Sequence, residues 1–159
     1  MQMTHYMELL ATNQPWNLLL FMAVPVILAE TIAITELYIL YTKDFSSIAK
    51  KISRTVGIIV GIYFVGVFIY LFKNAVIPIT IAGQWRTFID VIAVGSYLLG
   101  VIPLFGMTLL ELKIIGKRRD DMDRLKLHAV FVAIFLVVAH IAMIFGMLSP
   151  AVFAGGHGG

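Results

Sequence analysis

The sequence predicts an all-α integral membrane protein, a bundle of four transmembrane helices. Of its 159 residues, 60% are hydrophobic and 13% are charged, and the mean hydropathy is +0.96. Soluble domains are about 45–50% apolar and about 25% charged. A core this small cannot bury the excess, because small domains enclose a modest share of their surface. Four apolar runs are each long enough to cross a bilayer as a helix, so lipid is expected to solvate much of the chain.

The four spans are predicted over residues 16–41, 56–72, 88–112 and 127–148, in one transmembrane domain with a disordered tail over 149–159. The absence of cysteine excludes disulfides and thiolate metal sites. Of the 12 Lys and Arg residues, four lie in the loop after the first span and six in the loop after the third. Such clusters are topology signals, so we expect no nucleic-acid partner. They place both charged loops on the cytoplasmic side of the cell (inner) membrane and both termini outside, N-out and C-out.

Residues 1–13 precede the first span and are predicted to form a short amphipathic segment on the membrane surface or a mobile terminus. Asn13 is expected to cap the first span, whose helix Pro25 is expected to kink. Glu30 and Glu36 lie inside its apolar run. Carboxylates at such positions are the costliest feature of this helix.

The second span contains Gly57 and Gly61, spaced so that a neighbouring helix can approach closely. The apolar part of the connection over residues 73–86 is too short to span and is expected to dip into the interface. In the third span, Ser96 and Gly100 form a second face of small residues. One of the two faces is predicted to pack within the protomer and the other against a second copy, which makes the protein a homodimer. Pro103 is expected to interrupt the third helix.

The third span carries Asp90 in its first turn and Glu111 at its far end, and the fourth carries His128 and His140. An ionisable side chain within a span is by default a hypothesis for a functional site. The helical rise per residue orders these groups by depth. Going inward, the predicted order is Asp90, His140, Glu30 and then a group at one level, namely Glu36, Glu111 and His128. Glu36 and Glu111 are expected to matter least for function, because groups near an interface reach water cheaply and pair with adjacent lysines and arginines.

In its size, its four spans and its intramembrane histidines, the chain resembles the small four-helix membrane b-type cytochromes. The resemblance implies haem b held by imidazoles of the bundle, in redox or peroxide chemistry or haem handling. It implies a haem-dependent oxidoreductase with a membrane electron donor such as quinol. Two-haem members use histidine pairs on two helices, whereas His128 and His140 share one. Haem here therefore needs a single axial histidine, a Met partner or a histidine from a second protomer. His140 is the favoured ligand, with Met143 beyond it as a soft partner, and His128 is second.

Two other functions stay open. The protein is alternatively a proton- or ion-coupled transporter working as a dimer, because intramembrane carboxylates and a histidine are the parts of a proton relay. In either function, four carboxylates are candidates for proton transfer or for support of the ligands: Glu30, Asp90, Glu36 and Glu111. The remaining alternative is an accessory structural subunit, in which Glu30 and His140 hydrogen-bond each other. His5 and His157 are expected to be solvated on flexible ends.

Overall fold

The computed structural model describes residues 4–149, and these residues form helices and turns without a strand. The all-α prediction is confirmed. A short helix, α1, precedes four helices of 27, 34, 24 and 27 residues that are long and apolar enough to cross a membrane. The chain is therefore a multi-pass membrane protein. The helices are α1 (His5–Ala11), α2 (Trp16–Thr42), α3 (Ile48–Ile81), α4 (Phe88–Glu111) and α5 (Asp121–Met147).

The four long helices close a ring in which α2 packs on α3, α3 on α4, α4 on α5 and α5 on α2. Three aromatic side chains interlock at its centre. The ring of Phe64 lies 5.2 Å from that of Tyr97 and 5.5 Å from that of Phe135, measured between centroids. Such tilted aromatic pairs are more favourable than area burial alone explains. They hold α3, α4 and α5 together in the middle of the bundle.

Short loops over residues 43–47 and 112–120 join α2 to α3 and α4 to α5 at one end of the bundle, here called the basic end. The opposite end, which carries α1, is the α1 end. Two helices begin earlier at the basic end than predicted, because polar side chains cap them. The Ser47 hydroxyl accepts from the Lys50 backbone N–H at 3.4 Å, and the Asp120 carboxylate accepts from that of Asp123 at 2.7 Å.

The second span also ends later than predicted. A π-helical turn over Phe72–Val76 precedes Pro78, and the helix continues through the proline to Ile81. The prediction of an interfacial connection over residues 73–86 is therefore wrong for its first half. In the third span a turn at Gly100, three residues before Pro103, confirms the predicted interruption.

Pro25 leaves the carbonyl of Phe21 without its helical partner, because proline has no N–H to donate. A π-helical turn over Leu19–Ala23 absorbs the irregularity. The Tyr97 hydroxyl donates to the Phe21 carbonyl, and the Tyr63 hydroxyl donates to the Leu20 carbonyl at 2.7 Å. Neighbouring helices thus satisfy the freed carbonyls, as an apolar solvent requires. The expected Asn13 cap is wrong, since the helix starts after Pro15 with no side-chain cap.

The N-terminal helix α1 docks onto the bundle. Its Tyr6 and Leu10 are buried, and a Cβ on Gly146 would lie 2.7 Å from the Tyr6 ring. The Thr4 hydroxyl donates to the Gly146 carbonyl at 2.7 Å. The segment is amphipathic as predicted, but its apolar face covers the ends of α4 and α5 instead of lying free. The predicted tail falls outside the described residues, except for Ser149.

Both faces of small residues are used inside the protomer. A Cβ on Gly61 would lie 1.8 Å from Thr108 Oγ1 and 2.6 Å from the Leu104 carbonyl oxygen, so α3 and α4 are in backbone contact there. A Cβ on Gly100 would lie 3.0 Å from the Phe135 ring. Helices of the same chain fill the space beside Gly61 and Gly100, so the prediction that one face serves a second copy finds no support at these two glycines. Dimerisation itself stays a prediction.

Candidate functional site

A buried cluster of ionisable side chains lies near the basic end, where α2, α3, α4 and α5 come together. His128 on α5 is 1% exposed, and its Nδ1 hydrogen-bonds with Glu36 Oε1 from α2. Gly57 on α3 leaves the space that the ring occupies, since a Cβ there would lie 3.0 Å from His128 Nε2. The glycine predicted as a helix-packing residue therefore makes room for the histidine.

Glu111 completes the cluster from α4. Its Oε1 lies 3.6 Å from His128 Nε2 and 3.4 Å from Lys50 Nζ. The Ser53 hydroxyl donates to Glu36 Oε1 at 3.3 Å. A continuous chain of polar groups thus runs from Glu36 through His128 and Glu111 to Lys50. We call these five residues, Ser53 included, the His128 cluster.

Two polar atoms of the His128 cluster, Glu36 Oε2 and His128 Nε2, are buried without a hydrogen-bond partner among residues 4–149. Buried polar atoms are normally paired, and leaving one unpaired costs roughly 1–3 kcal/mol. An ionised Glu36 accepts only, so the Nδ1 that faces it carries the proton of a neutral imidazole. Nε2 is then the bare nitrogen. It points at Glu111 from a distance slightly too long for a hydrogen bond.

The charges of the cluster balance only when it holds an extra proton. With two ionised carboxylates, Lys50 protonated and His128 neutral, the net charge is −1; a proton on Nε2 makes it zero. An uncompensated buried charge is expensive, whereas a balanced one costs less. The arrangement therefore suits the uptake of one proton between the two carboxylates.

Cavities reach the two ends of this polar chain. An apolar cleft of about 220 Å³ lies between α2 and α5 and includes Glu36 in its lining. A polar cavity of about 260 Å³ opens at the basic end and includes Glu111 and Lys50. His128 lies between them. The three alanines that line the cleft are Ala33, Ala129 and Ala133.

The structure places His140 on the exposed outer surface of α5, away from the cluster. Its Nδ1 lies 2.6 Å from the Leu136 carbonyl oxygen of the same helix. Glu30 is also exposed, and no hydrogen bond joins it to His140 in the described structure, so their predicted pairing is wrong. Met143 is half-buried one turn beyond His140. Haem ligation by His140, His128 or Met143 stays a prediction, and no group of three or more His, Cys, Asp or Glu within residues 4–149 is arranged to hold a metal ion.

A second histidine–carboxylate pair lies at the α1 end. Asp90, fully buried in the first turn of α4, accepts a hydrogen bond from the His5 backbone N–H at 2.7 Å and also pairs with His5 Nδ1. Trp85 packs edge-on against the His5 ring at 6.4 Å. The prediction of a solvated His5 is wrong, because α1 docks and carries the residue to Asp90. His157 lies outside the described residues.

An ion pair flanks this second pair at the surface. Arg86 Nη2 donates to Glu8 Oε2 at 2.6 Å. That hydrogen bond lowers the pKa of Glu8 and raises the pKa of Arg86. The ion pair thus ties α1 to the segment that precedes α4.

The depth estimate grouped Glu36, Glu111 and His128, and the structure brings these three together. Of the two glutamates, Glu111 pairs with the adjacent Lys50 as expected and lines the polar cavity, whereas Glu36 is 2% exposed and pairs with His128. Sequence reasoning missed Lys50 and Ser53, which lie in the part of α3 that was assigned to a loop. The coincidence of three titratable groups at one depth was the signal that marked the cluster.

Comparison with protein families matches the chain to a family of unknown function, DUF6803, over residues 1–158. Neither a comparison with curated proteins nor one with solved structures gives a match. The match covers nearly the whole chain, including every residue of the His128 cluster and of the His5–Asp90 pair. The chain therefore belongs to the family of unknown function DUF6803.

Proposed function

We propose that the protein is a proton-coupled membrane transporter in which Glu36, His128 and Glu111 form the proton-binding site. One observation carries the proposal: a buried Glu–His–Glu chain has its two ends in two different cavities. A structural histidine needs its polar atoms satisfied, whereas this chain leaves Glu36 Oε2 and His128 Nε2 unpaired. A proton carrier requires such unpaired atoms at a place where one added proton balances the charge.

Protonation supplies the driving force for a conformational step. With Nε2 protonated, His128 donates to Glu36 and to Glu111 and holds α2, α4 and α5 together. With Nε2 bare, Glu111 loses its attraction to the imidazole and keeps Lys50 as partner. The proton therefore changes the contacts between α5 and α4, which is the differential interaction that any coupled movement needs.

We infer that the basic end lies on the cytoplasmic side of the cell membrane and that both termini lie outside. The support is the four-plus-six distribution of Lys and Arg over the two loops. In this orientation Glu111 communicates with the cytoplasm. Reporter fusions at Ser47 and at Gly159 are expected to report opposite sides, and a cytoplasmic report from Gly159 would reverse the direction of the path.

Infrared titration of the purified protein tests the proton site. The wild type is expected to bind one proton per chain at the cluster, seen as changes in imidazole and carboxylate bands. His128→Gln and Glu36→Gln are expected to remove those changes. His140→Gln is the matched control, since it changes a histidine of the same helix that faces outward. Unchanged cluster bands in His128→Gln would contradict the proposal.

Proteoliposomes loaded with a pH-sensitive dye test coupling. Transported solutes are expected to move protons into the lumen with the wild type and with His140→Gln, but not with Glu36→Gln or His128→Gln. If a solute accumulates equally with and without a pH gradient, the protein transports without protons and the proposed role of His128 is wrong.

Haem binding is a second candidate, favoured by one observation at His140. Its Nδ1 faces the Leu136 carbonyl, and a hydrogen bond of this type leaves Nε2 as the nitrogen for ligation. Met143 cannot supply the opposite ligand to the same iron, because residues three apart share a helix face. Haem b at His140 would therefore have a single axial histidine or take a second ligand from another copy of the chain. The visible spectrum after haem-replete expression tests this candidate, with a Soret band expected from the wild type and none from His140→Ala.

A further inference from the structure

The polar cavity at the basic end, here called the basic vestibule, concentrates positive charge. Segments from three helices converge on it: the start of α3, the end of α4 with the following loop, and the start of α5. Five of its eight lining residues are basic and two are acidic, which gives a net charge of +3. The lining residues are Phe45, Lys50, Lys51, Arg54, Glu111, Lys113, Asp121 and Arg124.

Most of this positive charge is not neutralised by protein. Lys51, Arg54 and Lys113 have no ion-pair partner among the described residues. A topology signal requires basic residues on one side of the membrane. It does not require them to line one concave cavity, where their mutual repulsion is greatest. The three side chains are exposed, so their charge is available to an anion in the vestibule.

Arg124 is held in place within the vestibule. Its Nη2 donates to the Leu110 carbonyl at 3.0 Å, and its Nη1 lies 3.8 Å from Asp121 Oδ1. Its Nε is buried and has no hydrogen-bond partner among the described residues. Held in this way, the guanidinium lines the vestibule as a fixed positive charge, which suits an oxyanion.

We propose that the basic vestibule binds a phosphate-bearing anion, either as a free solute or as a lipid head group. A volume of about 260 Å³ accommodates such a group together with water. Lys51, Arg54, Lys113 and Arg124 supply charge-assisted donors from three sides. This inference rests on the proposed function in one respect: the anion is the substrate class that the proton site would serve.

Lys50 links the anion to the proton site, because its Nζ pairs with Glu111 Oε1 at 3.4 Å while the side chain lines the vestibule. An anion that draws Lys50 away leaves Glu111 without its ammonium partner. His128, at 3.6 Å from the same oxygen, then gains the stronger attraction for a proton. The anion and the proton therefore favour each other's binding, and the coupling is reciprocal.

Equilibrium binding of radiolabelled inorganic phosphate to the full-length protein in phosphatidylcholine nanodiscs tests the proposal. The wild type is expected to bind saturably, with one site per chain. The double variant Arg54→Gln/Lys113→Gln is expected to bind roughly tenfold or more weakly, because each lost contact is a charge-assisted hydrogen bond. Glu111→Gln, which releases Lys50, is expected to bind several-fold more tightly.

Lys126→Gln is the matched control, since it removes a positive charge from the same end of the bundle outside the vestibule, from a side chain that is 64% exposed. Its phosphate affinity is expected to change by less than about twofold, as screened surface charges have small effects. If Lys126→Gln loses as much phosphate affinity as the single variants Arg54→Gln or Lys113→Gln, the binding depends only on the overall charge of this surface and the proposal is overturned.

A second arm distinguishes the sources of the phosphate. Native mass spectrometry of protein released from phosphatidylglycerol membranes counts retained lipid, which is expected to fall in Arg54→Gln/Lys113→Gln if the ligand is a head group. Free phosphate binding with no lipid retention identifies a soluble anion. Absence of both overturns the inference. His128→Gln separates this inference from the proposed function. If phosphate binding survives in this variant and the proton titration is also unchanged, the anion site stands and the proton site is refuted.

Discussion

The His128 cluster and the His5–Asp90 pair both join an imidazole to a carboxylate, but the two sites differ in what these groups do. Both oxygens of Asp90 have partners, one from the backbone and one from the ring of His5. In the His128 cluster one oxygen of Glu36 and one nitrogen of His128 have none. A fully satisfied pair stabilises the docking of α1. An incompletely satisfied pair between three helices keeps capacity for a proton, and the difference lies in what surrounds each imidazole.

His128→Ala is expected to have the largest effect on stability. It leaves two carboxylates buried with only Lys50 as counter-charge, and breaking a buried pair costs about 3–5 kcal/mol. The free energy of unfolding in mixed detergent micelles, measured by circular dichroism, checks this. His140→Ala on the exposed face of the same helix is the control and is expected to change stability by about 0.5 kcal/mol or less. Equal losses in both variants would show that the His128 cluster contributes no more than the lipid-facing surface.

Asp90→Ala is expected to cost less, about 1–3 kcal/mol, because it leaves the His5 backbone N–H and ring without an acceptor at a half-buried position. The loss is expected to be local, as undocking of α1 while the four long helices persist. Hydrogen exchange resolved by segment measures it, with faster exchange over residues 5–11 and unchanged exchange in α3. If α3 exchanges faster as well, the His5–Asp90 pair supports the whole bundle and the contrast between the two sites weakens.

Gly57→Ala tests whether His128 needs the space that the glycine leaves beside its ring. The new Cβ would lie 3.0 Å from Nε2 and 3.3 Å from Cε1, so the ring must shift by a few tenths of an ångström. We expect a modest destabilisation of about 1–3 kcal/mol, as for other overpacked cores, together with an altered imidazole titration. Gly66→Ala is the control, since no atom lies within 4 Å of its Cβ position. The same infrared titration reports both variants, and an unaltered His128 titration in Gly57→Ala would show that the ring has room to spare.

The smallest expected effect is a pH dependence at the α1 end. The hydrogen bond from Arg86 lowers the pKa of Glu8 in the folded state, so the contribution of this ion pair is fully present above the ordinary glutamate pKa. It is lost as the pH falls through the lowered folded pKa. Fluorescence of Trp85 near His5 is expected to report loosening of α1 in that acidic range. Glu8→Gln should remove this step, and a step that persists in the variant belongs to another group.

Composition and the length of the apolar runs determined the fold class and the four spans, because about twenty consecutive apolar residues cross lipid as a helix that satisfies its own backbone. They also ordered the ionisable groups by depth, since helical rise is nearly constant. That alone put Glu36, Glu111 and His128 at one level. The favoured site at His140 rested on its place within the span and on Met143 beyond it, and spacing along one helix carries no information about which side faces the bundle.

Only the tertiary structure decided which face of each helix points inward. Rotation of α5 buries His128 and exposes His140, although both lie in one apolar run. The sequence pattern around them is apolar on every side, because lipid and protein core select the same residues, so no hydrophobic period marks the inner face. The inner face was set by contacts remote in sequence: Gly57 under the His128 ring, Gly61 against Thr108, and Tyr97 bonded to the carbonyl freed by Pro25.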